Sequence, residues 1–227
     1  LRDQRMSYDV GIWTRGIDRE IFCPARRDMA WRRSLGIGDD MPVIGFIGRL
    51  VMEKGLDVFS DTVDQLAQRQ VPHKVLVVGE GPAREWFENR LPGAVFTGFQ
   101  KGADLGRAVA SMDMLFNPSV TETFGNVTLE AMACGLPTVA ARATGSESLV
   151  TEGVTGRLIR PGAISAFADA LQYYCVDTAA RAAAGQAAQQ RAERNGWDQV
   201  NQALVDTYLR VIRQRAQGLA PRSSPVP

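Results

Sequence analysis

The sequence predicts an α/β fold, a doubly wound parallel sheet of about six strands. Three observations predict it. Short runs rich in β-branched residues alternate with helical patterns from residue 42 onward. The runs are apolar almost throughout, as in strands buried on both faces. Glycine follows three of the first four runs, where a strand must turn sharply into a helix.

The elements follow in order. The strand runs are "PVIGFIGR" (42–49), "KVLVVGE" (74–80), "AVFTGF" (94–99), "DMLFNPS" (113–119), "PTVAA" (137–141) and "TGRLIR" (155–160). Between them lie helical patterns at 53–69, 82–91, 102–111, 125–134 and 145–151. Beyond Gly162 the pattern predicts helices at 163–175 and about 178–194. A last helix, "WDQVNQALVDTYLRVIRQRA", places Val200, Leu204, Tyr208 and Val211 at helical spacing. The Pro/Ser-rich tail, 218–227, is expected to be disordered.

Composition narrows the function. The 227 residues are 45% hydrophobic, enough for one large α/β domain. A net charge of +1 supplies no field that attracts nucleic acid or a membrane surface. No apolar run approaches the roughly 20 residues of a membrane span, and no signal peptide is visible. Cys23, Cys134 and Cys175 have no metal-like spacing and read as buried free thiols. The single histidine, His73, opens a strand and reads as a surface or strand-edge residue. "LRDQRMSYDV" lacks an initiator methionine and reads as the end of an earlier element, so an N-terminal part is expected to precede it.

Doubly wound sheets bind ligands beyond the carboxyl ends of their strands. In "GRLVMEKG" (48–55), Arg49 and Lys54 stand five residues apart across the first such turn. Two cations beside a helix N-terminus suit a phosphate or diphosphate. Eight residues leave open the alternative of solvated charges, with Lys54 paired to Glu53 or Asp57. The turn lacks G-x-G-x-x-G, and "GEGP" has only its opening, which disfavours a hydride-transferring dehydrogenase.

"ETFGNVTLE" (122–130) carries two glutamates eight positions apart. Glu122 falls in the loop before a helix that starts near Gly125 or Asn126, and Glu130 falls about two turns into it. A buried carboxylate needs a partner. Arg49, Lys54 or the hydroxyls of a ligand qualify, a vicinal diol such as ribose among them. Spacing alone favours a salt bridge.

The motifs "GRLVMEKG", "VVGEGP", "VFTGF", "NPSVTETFGNVTLEAMACGLPTVA" and "EGVTGRLI" occur in this order. Together they resemble the C-terminal, Rossmann-like domain of the family 4 (group 1) retaining glycosyltransferases of GT-B fold. The resemblance covers roughly residues 10–160. It implies that 1–15 ends an interdomain connection, that 16–196 binds a nucleotide sugar, and that 197–217 crosses back to an N-terminal domain.

The resemblance also implies roles. Arg49 and Lys54 match the pair that holds the donor diphosphate, and Glu122 matches the glutamate at the sugar. Gly48, Phe124, Gly125, Asn126 and Val127 match contacts to sugar and phosphate. Gly81 and Phe99 match the nucleotide pocket, and Glu130 matches the ribose ligand. No cofactor and no metal is implied, only a GDP- or UDP-sugar as substrate.

"WTRGID", "FTGF" and "TETFGNVTLEAM" look nearest to GDP-mannose-dependent mannosyltransferases, with a UDP-using sulfoquinovosyl branch similar. About half of such an enzyme is absent from this chain, which alone is expected to bind donor without turnover. The acceptor, a lipid or glycan, belongs to the other half, as does any peripheral membrane contact. The expected location is the cytoplasm, at the inner face of the membrane. A stand-alone nucleotide- or phosphosugar-binding module and a GT-B-like epimerase are the alternatives. The Glu122/Glu130 pair with Arg49 and Lys54 favours a transferase.

Overall fold

The computed structural model describes residues 13–217. The expectations for 1–12 and for the tail 218–227 lie outside the described residues. The chain divides into two compact units. One spans Ile17–Glu193, and the other joins the segment ending at Gly16 to the segment from Arg194.

The larger unit runs in chain order through α1 (Met29–Ser34), β1 (Val43–Ile47), α2 (Leu56–Gln68), β2 (Lys74–Val78) and α3 (Arg84–Arg90). It continues with β3 (Val95–Phe96), α4 (Gly102–Ala110), β4 (Met114–Asn117), α5 (Asn126–Ala133) and β5 (Thr138–Ala141). It ends with α6 (Thr144–Leu149), β6 (Gly156–Ile159), α7 (Ile164–Val176) and α8 (Thr178–Ala192). The six strands form one parallel sheet in the order β3-β2-β1-β4-β5-β6.

Strand periodicity sorts the core into two layers. Ile44 and Phe46 of β1, Val75 and Val77 of β2, and Met114 and Phe116 of β4 enter one apolar cluster. Val43, Leu76, Val78 and Leu115 enter the other. This alternation follows from successive side chains pointing to opposite faces of a strand. The first layer is aromatic: Phe59 of α2 stacks on Phe116 at 4.8 Å and meets Phe46 edge-on at 5.6 Å. The second layer packs α5 and α8 through Leu129, Met132 and Ala188.

The N-terminal end of the sheet is tied by one carboxylate. Asp113, just before β4, accepts from Arg27 at 2.7 Å, from Arg32 at 3.0 Å and from the Val43 amide at 2.9 Å. The Arg32 side chain has no exposed surface, and it also donates to the carbonyls of Ser111 and Met41.

Several elements differ from expectation. Helix α1 is not among the predicted helices; Asp28 caps it by accepting from the Trp31 amide at 2.8 Å, in a stretch whose arginines mask the apolar period. The helix expected at 53–69 is two pieces, a 3-10 turn at Met52–Lys54 and then α2. Gly55 breaks it with φ +73, in the left-handed region that favours glycine. Helix α3 starts at Arg84, after the Pro82 that the expected 82–91 helix included. The thiols of Cys134 and Cys175 are buried as expected, while Cys23 is half-buried. His73 immediately precedes β2, with Nδ1 2.7 Å from the Val71 carbonyl oxygen.

The smaller unit contains α9 (Trp197–Ala216). The Trp197 indole leaves no room for a side chain at Gly16, and Asn195 donates to the Arg15 carbonyl at 3.3 Å. Of the expected stripe, Val200 is buried, whereas Tyr208 and Val211 are exposed. No helix among the described residues is long and apolar enough to cross a membrane.

Candidate functional site

Strand order reverses between β1 and β4, neighbours in the sheet whose following segments run to opposite sides. That switch point opens a crevice at the carboxyl ends of the strands. The segments that follow β1, β2, β3 and β4, including the start of α5, carry the predicted site residues.

The first two loops interlock through glycine. Gly79 has φ +147, and a Cβ there would overlap the Gly48 carbonyl oxygen. Gly81 lies against the Leu50 backbone in the same way. The Leu50 amide donates to the Glu80 carbonyl at 2.9 Å, and the Ala83 amide to the Leu50 carbonyl at 2.9 Å. Gly81 therefore fits two turns together and does not line the pocket they form.

That pocket holds about 240 Å³. Of the predicted residues it gathers Gly48, Arg49, Phe99, Val127 and Glu130, with Gln100 and Leu105 added by the structure. Phe99 stands 71% exposed, a large aromatic face open to solvent beside the pocket. Gln100 is not among the residues the sequence singled out; its side-chain amide donates to the Thr97 carbonyl, three residues earlier, at 2.8 Å.

Glu130 is the chemically exceptional group in this pocket. It lies four residues after Asn126, the first residue of α5. That is just over one helical turn, closer to the helix start than the two turns expected. Burial alone pushes its carboxyl up to about 7. Among the described residues its carboxyl has no hydrogen bond and no ion pair, so neither Arg49 nor Lys54 is its partner.

Both cations are taken elsewhere. Lys54 Nζ lies 2.7 Å from Glu122 Oε1, with the two side chains only 19% and 15% exposed. Its partner is thus neither Glu53 nor Asp57, the two that sequence proximity offers. The contact exists because the loops after β1 and β4 meet: Gly55 sits against Pro118, with space that a Cβ would fill to 3.2 Å. Arg49 reaches Glu53 at 3.3 Å, on a side chain 74% exposed. Arg84, beyond the second loop, pairs with Glu80 and Glu88.

Helix α5 starts without a side-chain cap. Gly125, in the left-handed region at φ +89, precedes it, and the Gly145 amide donates to the Glu122 carbonyl at 3.1 Å. Among the described residues, the amides of Asn126, Val127 and Thr128 have no acceptor. These are the orphan donors of a helix N-terminus, which suit an anion or a sugar oxygen. Asn126 is exposed, while Phe124 packs against the second core layer. The described residues include no group of three or more His, Cys, Asp or Glu able to hold a metal ion.

Residues 41–177 match the family described as glycosyl transferases group 1. This chain belongs to that family. It is 36% identical over 192 residues to the sulfoquinovosyl transferase SQD2 of Arabidopsis thaliana, covering 82% of this chain and 37% of that protein. It is 31% identical over 212 residues to a GDP-mannose-dependent alpha-mannosyltransferase of Corynebacterium glutamicum, covering 93% of this chain and 50% of that one. The chain thus spans half or less of the length of these group 1 relatives. Among solved structures, Anabaena Alr3699/HepE in complex with UDP superposes with a TM-score of 0.73 at 29% identity, over 85% of this chain and 55% of that one. The group 1 assignment and the six-stranded parallel sheet agree with the GT-B fold that the motifs implied.

Proposed function

We propose that this chain is the donor-binding half of a retaining hexosyltransferase. It presents a GDP- or UDP-sugar, mannose or a related hexose, to a lipid or glycan acceptor held by a second domain. The observation that carries the reading is Glu130, a carboxyl without a protein partner in a nucleoside-sized pocket beside Arg49 and Phe99. A vicinal diol satisfies both oxygens of such a carboxylate at once.

In this reading the ribose lies on Glu130, and Phe99 and Gln100 flank the base. Arg49 and Lys54 hold the diphosphate and stabilise its charge as it leaves. Glu122 takes hydroxyls of the sugar, and the free amides at Asn126–Thr128 complete the sugar and phosphate contacts. The acceptor oxygen attacks the anomeric carbon on the face from which the diphosphate departs. A departing phosphate oxygen takes the acceptor proton, so configuration is retained. The two side-chain cations supply the positive charge, and no metal is required. A membrane-lipid acceptor would place the full enzyme at the inner face of the membrane, in the cytoplasm.

Calorimetry with GDP, UDP and ADP in metal-free buffer tests the reading. The expected result is binding of GDP or UDP that Glu130→Ala weakens at least tenfold. Unchanged affinity in that variant overturns the site assignment.

A further inference from the structure

We propose that the Lys54–Glu122 ion pair discriminates the sugar-bearing donor against the sugar-free nucleoside diphosphate. The proposal rests on the donor-site reading above, and it concerns what the empty site must give up in order to bind.

The pair is close and largely shielded, at 2.7 Å and 19% and 15% exposure. Its two loops are held in place. Gly55 abuts Pro118, Thr121 Oγ1 donates to the Glu53 carbonyl at 3.5 Å, and the Glu122 carbonyl accepts from Gly145. The backbone on both sides of the pair is thereby tethered, and it holds the Glu122 carboxylate in its shielded position.

A diphosphate that claims Lys54 withdraws its ammonium from Glu122. A shielded carboxylate then stands without its partner and close to another anion, which is unfavourable on both counts. A donor that still carries its sugar compensates, because the sugar hydroxyls donate to Glu122. A nucleoside diphosphate offers Glu122 nothing. The spent nucleotide is therefore bound against a penalty that the donor escapes, which favours product release.

Arg49 carries no such discrimination. Its contact with Glu53 is exposed on both sides, and exposed pairs exchange partners at little cost.

The test is calorimetry of the wild-type chain and Glu122→Gln with GDP against GDP-mannose, and with UDP against UDP-glucose. Glu122→Gln keeps the shape of the side chain and removes its charge. The expected result is nucleoside diphosphate binding at least threefold tighter in the variant, with the donor unchanged or weaker. Glu122→Ala should move the diphosphate in the same direction. A diphosphate affinity that is unchanged or weaker in both variants, while wild type binds, overturns this proposal and leaves the donor-site reading standing. Absence of binding by wild type to any of the four ligands overturns both.

Discussion

Gly79 and Gly48 touch backbone to backbone, with no space between the Gly79 Cα and the Gly48 carbonyl for a side chain. The two residues open the loops after β2 and β1, and both line the pocket that holds Glu130. The contact between the two loops is thus main chain on main chain, and it depends on the missing Cβ of Gly79.

Gly79→Ala should therefore disturb fold and site together. At φ +147 an L side chain is strained, and the methyl group overlaps a carbonyl that cannot move without shifting β1. A loss of about 2–3 kcal/mol is expected in urea denaturation. Nucleotide affinity should fall as well. A fully stable Gly79→Ala chain would contradict the packing described.

Glu130 predicts a pH dependence of the unliganded chain. Its folded-state value, about 7, lies above the ordinary 4.5, so between those two values the folded state holds a proton that the unfolded state has released. The stability it contributes is complete below about pH 4.5 and is lost as pH rises through about 7. A tenfold change in proton affinity is worth about 1.4 kcal/mol, and partial exposure of the side chain reduces the total to on the order of 2 kcal/mol. Unfolding free energies from urea titrations at pH 5 and pH 8 should differ by that much more in wild type than in Glu130→Gln. Parallel pH profiles would contradict the burial assigned to the carboxyl.

Arg49 should separate binding from stability. Its side chain is exposed and its pair with Glu53 is open to solvent, so Arg49→Ala should leave unfolding within about 0.5 kcal/mol. Nucleotide affinity should drop at least tenfold. Equal and small effects on both would remove Arg49 from the site.

Asp113 marks the opposite end of the sheet. It neutralises Arg32, whose side chain is wholly buried, and also holds Arg27 and the first amide of β1. Asp113→Ala leaves a buried guanidinium without its counter-charge and should cost about 3–5 kcal/mol. The nucleotide affinity of the remaining folded fraction should stay near wild type, because the cluster lies at the N-terminal ends of the strands. Thermal melting and calorimetry on the same sample would check both statements.

The sheet is legible in the sequence because each strand announces itself locally. Runs such as "VLVV" and "MLF" are short, apolar on both faces and buried throughout. The breaks are less legible. Gly55 interrupts one expected helix because Pro118, 63 positions later in the chain, lies against it. Helix α1 is hidden because Arg32 and Arg33 occupy positions that a sequence reading gives to solvent. In the fold, Arg32 is buried by a carboxylate 81 positions away.

The same division holds at the site. The sequence by itself singled out the residues to which the proposed chemistry is assigned, since Arg49, Lys54, Glu122 and Glu130 stand in motifs whose order and spacing are read along one strand-loop-helix unit at a time. Arg49 finds Glu53 four residues on, but tertiary structure decided the surroundings of the other three. Lys54 takes Glu122 and Glu130 is left without a protein partner, because β1 and β4 lie side by side and bring together loops far apart in the chain. A direct ion pair needs its atoms within about 4 Å, and for residues far apart in the chain such distances are set by strand adjacency, which no local stretch of sequence contains.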